Sequence, residues 1–208
     1  MGLCDATEVE GLAAKMRKRA GLPRDRIVDA GELAVRLLGA NCLVVLERLA
    51  VGARLRRTHD ADYIIEIRDN LPDVNFCVAH EVAHWGLAEV ARYVGPDEER
   101  LANSLAAALL APAQIVKGIV AQHGLMLGSM KPLAQLARIS QTSANIRLSE
   151  VLRDERAVLT ARNGNVLHRA DSTFPWSSET ALRHHWKGLA KAKLRGGIDE
   201  GRTALMVT

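Results

Sequence analysis

Aromatic side chains are nearly missing from this chain: Phe76, Phe174, Tyr63, Tyr93, Trp85, Trp176 and Trp186 are the complete set. Because 48% of the residues are nonetheless apolar, the core has to be assembled from Leu, Ala, Val and Ile. An Ala/Leu-rich core favours helices. Cysteine is scarce as well, and Cys4, Cys42 and Cys77 are an odd number at scattered spacing. That excludes a disulfide framework and fits reduced thiols. No run of about 18 apolar residues exists, so a membrane-spanning helix is not expected. The opening "MGLCDATEVEGLAAKMRKRA" has acids ahead of its basic cluster and lacks an apolar h-region, so a signal peptide is not expected either. The expected compartment is the cytoplasm.

With 208 residues, the chain has room for one core plus a small appendage. Its formal charge of +4 is unevenly spread: residues 1–145 carry 17 basic and 17 acidic side chains, and residues 146–208 carry 11 and 7. The excess lies wholly in the C-terminal third, where a solvated basic surface is a commoner explanation than nucleic-acid binding.

The periodicity predicts amphipathic helices over "EVEGLAAKMRKRAGL" and "DAGELAVRLLGA", the second capped by Asp29 and stopped by Gly39. Between residues 42 and 68 the period changes to that of strands: "CLVVL", "ARLRR" and "DYIIEIR" predict a small sheet. "DNLPDVNF" is turn chemistry, with Asp73 or Asn75 available to cap a helix from Phe76 to about Leu87. "GPDEERLANSLAAALLAP" is the plainest helix, closed by Pro112, and "AQIVKGIVAQHG" is another, followed by a linker "LMLGSM". Two short helices are expected after Lys131, with Pro132 at the first helix start and Ser140 capping the second. A hairpin is expected over "AVLTARNGNVLHRA", turning at Asn163-Gly164-Asn165, then a last helix "SETALRHHWKGLAKAKLR" ended by Gly196-Gly197.

Within the Phe76 helix stands "HEVAH". Residues four apart share a helix face, so His80 and His84 can offer imidazole nitrogens to one ion. Glu81 is rotated by about 100°, beside the ligands without being one, where a general base is needed. Shuffling this composition would yield His-Glu-x-x-His roughly once in 70 chains, so the pattern alone is only suggestive. Its neighbours Val78, Ala79, Val82, Ala83 and Trp85 add weight, since a helix with merely surface histidines would carry more polar company. Catalytic zinc sites take three protein ligands and keep one open position. Glu89 is poorly phased to be the third, whereas the next helix carries Glu98 and Glu99. Glu99 is preferred, because Asn103 stands four residues later on the same face and can hydrogen-bond a ligand histidine from behind. Asp97 and Glu98 are read as helix-start acids favourable to the dipole.

"NFCVAHEVAHW" with "ERLANSLAAALLAP", followed by "LAQLARISQTSANIRLSEV", resembles the ImmA/IrrE family of zinc metallopeptidases of bacteria and their mobile elements. The match runs through Glu99, Ala102, Asn103, Ala106, Leu109, Leu110 and Pro112, with Leu105 where phenylalanine is usual, and spans roughly residues 10–150. The resemblance implies an α+β fold with a zincin-like metallopeptidase core, helices around a small sheet. It implies one Zn2+ per chain held by His80, His84 and Glu99, with Glu81 as the catalytic base. It further implies a helix-turn-helix transcriptional repressor as substrate, whose cleavage relieves repression of a mobile element or stress regulon. The expected division is 1–128 as the metallopeptidase domain, 129–156 as a helix-turn-helix-like segment, and 157–208 as a small C-terminal extension of hairpin and basic helix.

An extended substrate would add to a sheet edge, with "DYIIEIR" the candidate strand, although an interior position fits its alternation equally. Cys77 reads as a small core residue, with metal-proximal redox sensitivity as the alternative. In "LAQLARISQTSANIRL" a DNA reader would expose Gln141, Thr142, Asn145 and Arg147. Arg138 replaces the usual turn glycine and no dimerisation heptad is visible, so packing or partner binding is favoured over DNA contact. His184-His185 lacks a carboxylate at ligand spacing and reads as surface. The contrasting functional reading is a non-proteolytic regulator, an antirepressor or a DNA-binding or toxin–antitoxin partner, with a structural or vestigial metal site.

Overall fold

The computed structural model describes residues 6–152, apart from 61, 72, 92, 94, 96 and 124–126, together with the strand segments 157–162, 165–170, 195–199 and 202–207. The fold is α+β, with seven α-helices and two sheets among the described residues. Two compact units emerge, one of residues 1–116 with 133–140 and the other of residues 117–132 with 141–208.

In the first unit, α1 (Ala6–Arg19) has Glu8 in its first turn and a basic last turn, the arrangement the helix dipole favours. One member of that basic turn faces inward. Arg17 is buried, and its guanidinium donates to the carbonyls of Leu109 at 2.7 Å, Pro23 at 2.6 Å, and Arg26. Leu109 sits in the last turn of α4 (Glu98–Leu110), whose carbonyls have no helical partners of their own. Arg17 therefore ties α1 to the end of α4, and burial lowers its pKa. Helix α2 (Ala30–Leu38) is capped as its sequence predicts: the Asp29 carboxylate accepts from Gly31 N–H at 2.8 Å, and Gly39 closes it at φ 106°.

The first sheet contains β1 (Leu43–Leu46), β2 (Ala53–Arg57) and β3 (Tyr63–Arg68) in the order β1-β3-β2. β3 runs parallel to β1 and antiparallel to β2, with Ile65 opposite Leu43 on one side and Leu55 on the other. The candidate edge strand "DYIIEIR" is therefore central, and β2 is an edge. Ile65 and Ile67 are buried, as is Glu66 beneath Arg54 (2.5 Å) and Arg56 (3.0 Å).

Helix α3 (Val74–Trp85) follows β3 and passes into a single π-turn at Gly86–Val90. Gly86 lies where a Cβ would strike the end of the buried Met16 side chain, so a larger residue there would force the Met16 thioether to move where α1 meets the end of α3. The expected caps fall differently. Asp73 takes the cap position at φ 60° without bonding α3 through its side chain, and Asn75 lies inside the helix, where it accepts from Ala30 N–H (2.8 Å) and donates to the Ala137 carbonyl (2.9 Å). Asp73 instead accepts from Ser140 N–H at 3.3 Å. Helix α4 packs on both α1 and α3. Its buried Ala102, Ala106, Ala107 and Ala108 allow close approach, and its buried Leu101, Leu105, Leu109 and Leu110 contribute about 1.5–3 kcal/mol apiece.

Helix α5 is Ala113–His123 and α6 is Leu127–Ala137. The expected linker "LMLGSM" is thus largely helical, and Pro132 lies inside α6 instead of opening it. A proline there forfeits one intrahelical hydrogen bond. Arg138 occupies the turn at φ 53°, the left-handed conformation that a glycine would take without strain, and α7 (Gln141–Leu152) starts after Ser140.

In the second unit α7 packs on β4 (Ala157–Arg162) and β5 (Asn165–Ala170). These strands form the expected antiparallel hairpin, and β6 (Arg195–Asp199) and β7 (Arg202–Val207) extend it to a sheet ordered β5-β4-β7-β6. Gly196 and Gly197 therefore belong to a strand instead of ending a helix. The rest of the expected last helix, with His184-His185, lies outside the described residues, as do Asn163 and Gly164. No single helix among the described residues is long and apolar enough to cross a membrane; α4 and α5 pass that test only jointly, across a 64° bend.

Candidate metal centre

The i, i+4 spacing on α3 brings the two imidazoles edge to face, 4.7 Å apart, with Nε2 of His80 and Nε2 of His84 separated by 3.0 Å. The first turn of α4 delivers Glu99 opposite them. Its Oε2 is 3.4 Å from His80 Nε2 and its Oε1 is 3.3 Å from His84 Nε2. Three donors on zinc at bond lengths of about 2.0–2.2 Å would stand about 3.3–3.6 Å from one another in tetrahedral geometry. The two Nε2 atoms and the Glu99 carboxylate, each ring facing a different one of its oxygens, offer one donor per residue within 4.8 Å of one another, so His80, His84 and Glu99 could hold a metal ion after a small adjustment of the rings and the carboxylate. The rings are mostly sheltered, at 18% exposure, and the Glu99 carboxylate is 78% exposed. One side of the triangle thus opens to solvent. Burial, with the neighbouring His84, lowers the His80 pKa below the ordinary 6.5, which favours the neutral ring whose one unprotonated nitrogen can ligate.

Glu81 lies on the sheet side of α3. Its Oε2 accepts from the Leu55 N–H of β2 at 2.7 Å. Leu55 belongs to an edge strand, and this N–H is directed away from β3, so the carboxylate is held against the sheet's free edge. Sequence periodicity gave no indication of this bond, because it depends on strand order.

A second unforeseen contact involves Glu98. Assigned from sequence to the helix dipole alone, it reaches His84 Nδ1 with its Oε1 at 2.8 Å. Two consecutive acids at the start of the helix after a ligand helix were the available signal, one for each side of the imidazole. Asn103 stands beside His80 and favours its charged form, as a polar neighbour to a ligand should, but His80 Nδ1 is buried with no hydrogen bond completed. Leu105 is fully buried beside Gly86, a packing position.

Tyr63 donates its hydroxyl to Glu89, and Arg57 lies over its ring with 5.6 Å to the centroid. Burial pushes the Cys77 thiol up, and the Asp73 and Glu81 carboxylates add to the shift. A half-buried thiol with a raised pKa is consistent with the small packing residue of the sequence analysis. In α7, Gln141 and Thr142 are partly exposed, whereas Asn145 and Arg147 are buried at 0% and 2% exposure. The row of four outward side chains that a DNA reader requires is therefore not present.

No family model matches this chain, and no curated protein matches it. Among solved structures it is similar to a Mycobacterium tuberculosis transcriptional regulator, at 14% identity and a TM-score of 0.57, covering 95% of this chain and 67% of that one. At that identity the similarity concerns the fold.

Proposed function

We propose that this protein is a cytoplasmic zinc-dependent endopeptidase of the ImmA/IrrE type, with a zincin-like core, that cleaves a helix-turn-helix transcriptional repressor. The observation that carries the reading is the His80, His84 and Glu99 cluster, in which the two Nε2 atoms lie 3.0 Å apart and face the two oxygens of one exposed carboxylate at 3.4 and 3.3 Å. A structural zinc site would close with a fourth protein ligand and would need no base nearby. Here the cluster offers three donors and Glu81 is the adjoining residue on the same helix.

A zinc ion held by these donors would supply Lewis acidity, acidifying water and polarising a peptide carbonyl. The residues have distinct tasks. Glu81 takes a proton at its carboxylate and returns it to the departing amine. The free edge of β2 accepts an extended substrate as an added strand, in the β-augmentation mode that unpaired edge groups invite. Leu55 N–H, which now bonds Glu81, would pass to a substrate carbonyl on docking and release the base. The repressor as substrate comes from the family resemblance alone.

The test is zinc content and cleavage measured together on wild type, His84→Ala and Glu99→Ala, with a candidate helix-turn-helix repressor as substrate. One zinc per chain, lost in both variants, with cleavage by wild type alone, is expected. Capture of the repressor uncut by a protein that binds no zinc would favour the non-proteolytic regulator.

A further inference from the structure

The metal triangle leaves one strong contact unused. His84 Nε2 faces His80 and Glu99, while its Nδ1 meets the Glu98 carboxylate at 2.8 Å. A carboxylate only accepts, so at that distance Nδ1 must carry a hydrogen. In a neutral ring the single N–H is then spent on Glu98, and the Nε2 lone pair is left pointing at Glu99 and His80. His80 has no carboxylate counterpart to this bond: its own Nδ1 is buried with no hydrogen bond completed, and the polar side chain beside the ring is the uncharged Asn103.

We infer that Glu98 is a positioning residue of the site, acting through His84: it fixes the ring's orientation and tautomer, makes His84 the stronger donor of the pair, and raises the affinity for a divalent cation such as zinc. This rests on the proposed metal site for its second half only, since the tautomer is a property of the protein itself. Carboxylate partners behind ligand histidines typically contribute about 10–100-fold in metal affinity. The competing explanation is an acid that serves the α4 dipole, as first-turn acids do. Asp97 separates the two explanations, since it precedes Glu98 at the same helix end, makes no side-chain cap bond and stands 3.7 Å from Arg100.

The experiment compares full-length wild type, Glu98→Ala, Glu98→Gln and Asp97→Asn. Zinc affinity is read by competition with a chromophoric chelator, and the His84 tautomer by 15N chemical shifts of the metal-stripped protein. Glu98→Ala should bind zinc about 10–100-fold more weakly and lose the Nδ1–H signature. Glu98→Gln, whose amide oxygen still accepts, should keep the tautomer and fall between the two in affinity, and Asp97→Asn should match wild type. Equal losses in Glu98→Ala and Asp97→Asn would overturn the inference in favour of the dipole. So would an unchanged tautomer in Glu98→Ala. Wild type that takes up no zinc would defeat the peptidase reading, while the tautomer comparison would still decide the role of Glu98.

Discussion

Helix α3 with the start of α4, and helix α7, both carry polar residues at spacings tied to a known chemistry, and the fold treats them in opposite ways. On α3 the imidazoles of His80 and His84 converge with Glu99 on one partly open point. On α7, Asn145 and Arg147 are buried, and Arg147 pairs with Glu150 at 3.5 Å one turn along its own helix. A spacing rule states which side chains share a face. Whether that face meets a ligand or a core is decided by what packs against it, and the difference predicts different consequences of mutation.

The largest effect is expected at the metal point. His84→Ala removes one of three donors and should cost zinc affinity at least about a thousandfold, beyond the roughly 10–100-fold of a lost supporting carboxylate. Retention of one tightly bound zinc by that variant, in equilibrium dialysis, would break the ligand assignment. Glu81→Gln keeps the ligand set, so zinc content should be unchanged while cleavage of the repressor falls by about 10²–10⁴-fold or more. An active Glu81→Gln protein would remove Glu81 from the mechanism.

In α7 the expected cost is to stability. Arg147→Ala strips a buried guanidinium and leaves the Glu150 carboxylate without this partner, so chemical denaturation should register a loss of about 1–3 kcal/mol. Gln141→Ala should stay within about 0.5 kcal/mol. The reverse order, with Arg147→Ala stable but defective in binding DNA, would restore α7 as a reading helix.

The smallest effect belongs to the outer face of the first sheet. Arg54, supported by Arg56, holds the Glu66 carboxyl below the usual glutamate range against the opposing effect of burial. A folded-state pKa below the unfolded one means that this contribution is complete above the ordinary value of about 4.3 and is lost as pH falls through the lower folded value. Wild type should therefore exceed Glu66→Gln in stability at pH 7 and approach it near pH 3. A gap that widens in acid would show that Glu66 acts by something other than its charge.

Much of the site was legible locally. His80, Glu81 and His84 follow from helical phase, Glu99 from a choice supported by Asn103, and α2 from its Asp29 cap and Gly39 stop. Errors fell where one element had to be related to another. The alternation of β3 fits an edge and an interior position equally, and strand pairing decided for the interior: β2 folds back along one side of it while β1 lies parallel along the other. Asn75 has the chemistry of a cap but satisfies backbone groups 45 and 62 residues away. Pro132 and the strand at Arg195–Asp199 overrode local breaker signals.

By itself, then, the sequence determined the α+β alternation, the shared face of the two histidines and the glutamate beside them, because helix and strand periods are properties of a few consecutive residues. Only the tertiary structure decided which acid of the Glu98, Glu99 pair faces Nε2 and which faces Nδ1, and which strand presents its edge to Glu81. Those depend on how closely the alanine face of α4 settles on α3 and on the order in which three strands pair, and neither is encoded at any single position.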